Sequence, residues 1–334
     1  MEQTITINSL PAITWNRMNL NHVAVTLPEL GSLTPELKAE AVSAAPAIAT
    51  GAGENADNLF AGKPVYAVSA APGETRESIT VIAADDGACT LSFTAEEGSE
   101  LTAYVRVKGA TLGQQALRLL LDLKKDSKLR LIELLEPGDQ GQLLHDVGGS
   151  LGENAQVQVL HLYLGRGDLI SGCRMDLVGD GSSFTYEAGY LEQGSQNLDV
   201  NLIANHIGKK TTCNLRADGT LKGAARKTFR GTIDFKRGCK GSVGAEVENV
   251  LLLGEDVQNK TIPLILCAEE DVQGDHGASI GELDQDALFF FAARGMDPET
   301  AENLLTREKL SRLSQAMGRA DMVSAAEQAI EEVL

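Results

Sequence analysis

The sequence predicts a mainly β protein of short stacked strands ending in a helical tail, and three observations carry this. Short β-type runs recur over residues 155–266, separated by Gly, Asn, Asp and Lys turns at spacings of 11–17 residues. Aromatics make up only 4% while hydrophobic residues reach 43%, so a sizeable core must be built from aliphatic side chains. From about residue 284 the apolar period changes from strand-like to helical.

Taken in order, residues 1–62 form a short N-terminal segment. Thr34 followed by Pro35 reads as an N-cap with proline at the first helical position, which places a short helix over the Ala- and Glu-rich residues 35–47. Residues 50–58 read as a loop; its glycines lack the Lys and Ser/Thr of a phosphate cradle. Residues 63–282 form the β core. Its runs are 65–68, 78–83, 90–94 and 103–107, then 156–164, 173–178, 183–190, 198–203, 211–215, 227–235, 247–253 and 262–266. Residues 111–124 carry a helical pattern of leucines, and 127–135 fit either a strand or the end of that helix. Several runs alternate apolar and polar side chains, as in Gln156, Val157, Gln158 and Val159. That pattern fits a sandwich, a barrel or a solenoid, and without a strict short repeat the spacing does not choose among them.

Residues 283–334 form a C-terminal helical unit. Leu283, Ala287, Leu288, Phe290 and Phe291 make an apolar stripe, and Gly295 suits a C-terminal cap. Asp297 and Pro298 start a second helix through Leu305, and a third covers about 307–333 with a break at Gly318. Periodicity allows this unit either to close the core or to dock on a partner.

The net charge is −18 and the pI near 4.7, which disfavours a polyanionic partner such as DNA or RNA. The first ten residues lack the basic and apolar regions of a signal peptide, and no apolar run is long enough to span a bilayer. Cys89, Cys173, Cys213, Cys239 and Cys267 are odd in number and without a Cys-x-x-Cys pair, which fits a reduced cytoplasm and neither a disulfide framework nor a closed zinc site. The basic residues Lys222, Arg226, Lys227, Arg230, Lys236, Arg237 and Lys240 read as solvated strand edges, or alternatively as a patch for an acidic partner.

Residues 229–296 carry a more specific signal. Phe229, Arg230, Gly231, Thr232 and Ile233 are followed by Val250 to Gly254 and by Thr261, Ile262 and Pro263. Then come Glu269 to Val272, Asp275 to Gly281, Leu283 with Asp284, Leu288 to Phe290, and Ala293, Arg294, Gly295 and Met296. In order and spacing this stretch resembles the C-terminal core of the SufB/SufD family of iron–sulfur cluster assembly scaffolds. The upstream β region is compatible with that family, while the N-terminal part is short for it.

The resemblance implies a right-handed parallel β-helix core with a C-terminal helical unit. It implies a non-catalytic scaffold that pairs with itself or a SufB-like paralogue and recruits the SufC ATPase. The cluster would be transient and shared with the partner, and the chain would bind no nucleotide, having no Walker motif. The resemblance places His276 near the scaffold–scaffold interface as a candidate cluster residue. Asp275 is a candidate to orient it or share its metal. The sequence Asp275, His276, Gly277 is similar to the SufD branch, because the SufB branch has a second carboxylate where Gly277 stands. The SufB branch also has a cysteine at about the position of Glu248, here a carboxylate candidate. Of the nearest thiols, Cys239 sits in a turn suited to exposure and is a candidate ligand, whereas Cys267 in an apolar run reads as a buried hydrophobe. Leu288, Phe289, Phe291, Arg294 and Gly295 are the candidate contacts for the ATPase. Two rivals stand beside this reading: a β-helix enzyme acting on a polysaccharide, and a structural oligomer with no metal role.

Overall fold

A computed structural model describes residues 2–12, 15–37, 40–84, 86–283 and 285–334. The chain is a parallel β-solenoid of about 8 turns with a short C-terminal helical region, 53% strand and 15% helix. The mainly β expectation therefore holds, and the solenoid is the member of the three β architectures that the chain adopts.

Each turn contributes one strand to each of two nine-stranded sheets. Lys128 pairs with Glu100 of the preceding turn and with Gln156 of the following one, so identical positions recur every 28 residues in this part of the coil. This is a two-strand period, which is why single-strand spacings gave no short repeat. Inward side chains from both sheets form one continuous aliphatic core, including Leu119, Leu131, Leu143, Val159 and Leu202. At one corner the turns stack through a ladder of backbone bonds, Asp126 to Glu153, Asn154 to Asp180, Gly181 to Lys209 and Lys210 to Lys240. Asp126, Asn154, Gly181 and Lys210 there all have positive φ, which favours Gly and Asn at these rungs.

The N-terminal segment covers the outer face of one sheet. The hairpin of Gln3–Ile7 and Val23–Leu27 and the short helix α1 (Asp57–Phe60) bury Ile7, Leu27, Leu59 and Phe60 against Ala116, Leu144 and Ile170 of the sheet. Between them the chain lies flat on the strands. A Cβ on Gly172 would come within 2.2 Å of the Ala52 nitrogen, so only glycine admits this crossing. Asn201 and Asp146 hold the crossing segment through Gly51 O and Ala52 N, at 2.9 Å each. The stretch 50–58, expected as a loop, thus includes the start of α1 and an anchored crossing.

The helix expected over 35–47 does not form. Its described residues make two short strands, Glu36–Leu37 and Glu40–Val42, which pair antiparallel with the first strand of each sheet. Residues 111–124 are likewise a strand, Gln114–Leu123, and 127–135 form the strand Lys128–Glu136.

In the tail, α2 (Gln285–Ala292) ends in paired bonds from Gly295 N to Ala292 O and Met296 N to Phe291 O, with Gly295 at φ 80°. This is the glycine C-cap the sequence suggested. Asp297 caps α3 (Pro298–Ala316) by accepting from Thr300 N at 2.8 Å. The helix runs unbroken to Ala316 rather than stopping near Leu305, and α4 (Ala320–Val333) follows Gly318. Helices α3 and α4 close the outer face of the second sheet. Leu310, Leu313, Met317, Met322 and Ile330 pack on Ile132, Leu134, Leu160 and Leu162. Arg312 ties α3 to Asp218 and Glu187 of the same sheet at 2.9 and 3.2 Å. Among the described residues no helix is long and apolar enough to cross a membrane.

Candidate functional site at the open end of the solenoid

The coil ends in the strands Gln258–Cys267 and Val272–Gly281, the last members of the two sheets. Among the described residues Val272–Gly281 pairs on one side only, with Ser242–Leu253, and residues 273–280 are exposed. An unpaired strand edge presents free backbone donors and acceptors, which makes it a pairing surface. Val243, Val247 and Ile280 add exposed apolar side chains at this end.

His276 lies in the middle of this edge strand, exposed. Its register partner is Glu246, and that of Asp275 is Ala245. Along Ser242–Leu253 the buried positions include Glu246 and Glu248, while Val243 and Val247 are exposed. His276 therefore continues the inward row and Asp275 the outward one, since adjacent strand residues face opposite sides. Asp275 instead accepts from Gln273 Nε2 at 3.0 Å on its own strand. The expected sharing of one metal by Asp275 and His276 does not fit this geometry.

Glu248 is buried and fully occupied. It forms an ion pair with Lys227 and accepts from Tyr190 OH at 3.2 Å and Thr261 Oγ1 at 2.6 Å. Its neighbour Glu246 is a different kind of group: burial, reinforced by the charge of Glu248 and only partly offset by Lys227, raises its carboxyl to about 7. A Cβ at position 231 would meet the Glu246 carboxylate at 2.1 Å, so Gly231 leaves the room this side chain fills.

The two thiols exchange their expected roles. Cys239 is buried with the core, not exposed, and burial raises its thiol above the usual range. Cys267 is the exposed one, with Sγ 3.0 Å from Glu269 O, because no further turn of the coil covers it. Both lie at the corner leading into the last two strands of the second sheet. His276 stands four residues along its strand from Val272 at that corner, roughly 13 Å away at strand rise. The structure does not bring the thiols and His276 together.

Of the tail residues, Phe289 and Phe290 are 75% and 50% exposed, whereas Phe291 is half-buried. The Arg294 guanidinium stacks over Phe290 at 3.4 Å, and Gly295 caps the helix. Asp284 and the Leu288 side chain lie outside the described residues. The basic residues do not form one patch: Lys227 and Arg230 are buried, the latter paired with Asp199 at 2.7 Å, and Lys222 reaches Glu302 on α3.

A cluster that the sequence did not point to lies deep in the coil. Glu133, His145 and His161, all fully buried, converge from three successive strands. They are far apart in any local motif. The signal available was their common inward phase, since Glu133 and His161 are register partners one turn apart.

The description "SUF system FeS cluster assembly, SufBD core domain" matches residues 84–309, well over half of the chain. Among curated proteins the chain is 27% identical over 158 residues to the iron–sulfur cluster assembly protein SufD of Bacillus subtilis, 47% of this chain and 36% of that protein. It is 28% identical over 129 residues to the SufBD family protein slr0074 of Synechocystis, 39% of this chain and 27% of that one. It is 27% identical over 125 residues to the chloroplastic SufBD family protein ABCI8 of Arabidopsis thaliana, 37% of this chain and 22% of that one. The matches thus span well under half of the length of these relatives. With a parallel solenoid, a helical tail and a core-domain match across both, the chain belongs to the SufBD core family of the SUF iron–sulfur cluster assembly system.

Proposed function

We propose that this protein is a non-catalytic cytoplasmic scaffold of SUF iron–sulfur cluster assembly that pairs end to end through the edge strand Val272–Gly281, with itself or with a SufB-like paralogue. The observation that carries the reading is this strand. It closes the solenoid with an unpaired backbone edge and sets His276 at its centre, exposed. A second edge strand laid against it would continue this sheet into the partner's and bury His276 between the two chains, where neutral imidazole can ligate iron. Cluster iron and sulfide are cargo here, and a partner would supply the remaining ligands, because Gly277 has none and Glu248 is already engaged. Asp275, on the opposite face, would act at the rim of such a junction. Of the thiols, Cys267 is the accessible one and replaces Cys239 as the candidate ligand.

The exposed aromatic pair Phe289 and Phe290 on α2 suits a partner surface, and a SufC-like ATPase is the proposed occupant. Removing residues 284–334 is a poor test, because it would also strip Leu310, Leu313 and Ile330 from the sheet. Co-expression with the ATPase and a SufB-like paralogue, followed by affinity capture, is the direct experiment. Capture of both by the full chain, loss of the ATPase alone in Phe289→Ser/Phe290→Ser, and loss of cluster yield in His276→Ala after anaerobic reconstitution are expected. Failure of the intact chain to capture either protein sinks the scaffold reading.

A further inference from the structure

The geometry points to a second, internal metal site: Glu133, His145 and His161 form a set of two imidazoles and one carboxylate for one divalent transition metal ion, sealed inside the coil and separate from the open end. One ligand atom of each lies within 4.8 Å of the other two, and all three side chains are fully buried. Two neutral imidazoles with one carboxylate is a ligand set suited to Zn2+ or Fe2+.

Charge balance supports a cation there. Glu133 is fully buried in an aliphatic core, and among the described residues its ion-pair partners are the two imidazoles, with no Lys or Arg beside it. A buried negative charge without a cation is costly, and metal coordination is one of the few ways such a group is compensated.

Hydrogen-bond geometry is the independent observation. His145 Nε2 lies in hydrogen-bond contact with Glu133, 3.1 Å from Oε2 and 3.2 Å from Oε1. His161 Nε2 is 2.7 Å from the same Oε2 yet has no hydrogen-bond partner among the described residues, so two ring nitrogens converge on one carboxylate with one of them unsatisfied. The outer nitrogens are anchored: His145 Nδ1 is 3.0 Å from Ser171 Oγ and His161 Nδ1 is 2.6 Å from Tyr163 OH. Tyr163 OH is in turn 3.0 Å from Tyr186 OH. Metal at both Nε2 atoms requires a proton on each Nδ1, and hydroxyl oxygens accept that proton as readily as they donate one. The second ring of contacts therefore serves the metal-bound tautomers without rearrangement.

Because all three side chains are fully buried, the metal would enter while the coil forms, and bound metal would resist removal. The test uses the full chain expressed with zinc supplementation, and separately the same chain denatured with chelator and refolded anaerobically with Zn2+ or Fe2+. Each is passed through chelator before elemental analysis, acid-labile sulfide assay and X-ray absorption. We expect about one metal per chain with no sulfide, and nitrogen and oxygen neighbours at about 2.0–2.1 Å. Glu133→Gln, which preserves volume, should weaken retention at least about tenfold, while His276→Ala should retain metal as the wild type does. Natively folded wild type that holds no metal after the chelator step overturns the site. So does equal retention by folded Glu133→Gln, or a sulfur-ligated metal. A Glu133→Gln chain that does not fold leaves the wild-type stoichiometry and ligand shell to decide. Failure of cluster assembly at the open end would leave all of these readouts untouched.

Discussion

Glu246 and His276 are register partners in the parallel pairing of the last two strands of one sheet, so a buried carboxyl and an exposed imidazole stand on the same face at the mouth of the coil. The buried member is pH-sensitive. Glu246 ionises at about 7 in the folded chain, against a reference of 4.5. The unfolded chain loses this proton first, so stability is fully present below 4.5 and falls as pH rises toward 7. A shift of this size corresponds to about 3 kcal/mol. Urea midpoints measured across this window should decline for the wild type, and Glu246→Gln should flatten the decline and be the more stable protein above neutrality. A Glu246→Gln profile parallel to the wild type would rule out this titration.

His206 has the opposite sign. Its ring is buried, stacks on Phe235 at 4.6 Å, and touches Thr211 Oγ1 at 2.7 Å. Burial lowers its pKa from 6.5 to about 4. The unfolded chain takes up the proton first as pH falls, so stability is present above 6.5 and is lost on the way down to about 4. The loss should approach about 3 kcal/mol. His206→Asn will be less stable at neutral pH, having lost its ring stacking. The informative reading is the slope: between those pH values it should be shallower than that of the wild type.

Packing makes a third prediction at Gly172. The Cβ of an alanine would come within 2.2 Å of the Ala52 backbone nitrogen, and backbone cannot swing away as a side-chain tip can. Gly172→Ala should lift the crossing segment off the sheet, uncover Ile170 and Phe60, and cost at least about 1–3 kcal/mol. Limited proteolysis should then cut the N-terminal segment ahead of the solenoid, while the wild type is cut there no faster than elsewhere.

The same two-sided packing explains which parts of the fold were readable. Along Gln114–Leu123, Leu117, Leu119 and Leu121 face the core while Ala116 and Leu120 are covered from outside, so polar alternation vanishes and the leucines mimic a helix. Where the outer face is wet, as at Gln156 and Gln158, alternation survives and the strand is legible. Residues 36–42 have helix-forming composition, but pairing of Glu36 with Val81 and of Glu40 with Ala67 at the first turn of the coil outweighs propensity. The caps at Asp297 and Gly295 were legible because they depend on local chemistry alone. At the candidate site, His276 was visible through family resemblance. The exchange between Cys239 and Cys267 was not, because it depends on which turn of the coil is the last. The Glu133 cluster was hidden for a related reason: its members meet across the interior, and nothing in their neighbours announces it.

The buried pair of Lys227 and Glu248 decides whether the carboxylate at that position is structural or a cluster ligand. The Lys227 ammonium is enclosed between the Tyr190 ring at 5.8 Å and the Phe229 ring at 5.5 Å, and among the described residues the anions near it are Glu248 and, less directly, Glu246. Burial lowers the Lys227 pKa, and Glu248 opposes the shift. Lys227→Met alone should destabilise by about 3–5 kcal/mol, since it strands a buried carboxylate, and Glu248→Gln alone should strand the ammonium at a similar cost. The double variant Lys227→Met/Glu248→Leu removes both charges and should recover most of the loss, which a double-mutant cycle by urea unfolding would measure. The functional consequence separates the two roles. If Glu248 only neutralises Lys227, the double variant should assemble clusters with its partners as the wild type does, because His276 and the edge strand are unchanged. If the carboxylate ligates iron, the recovered stability will come without recovered cluster yield.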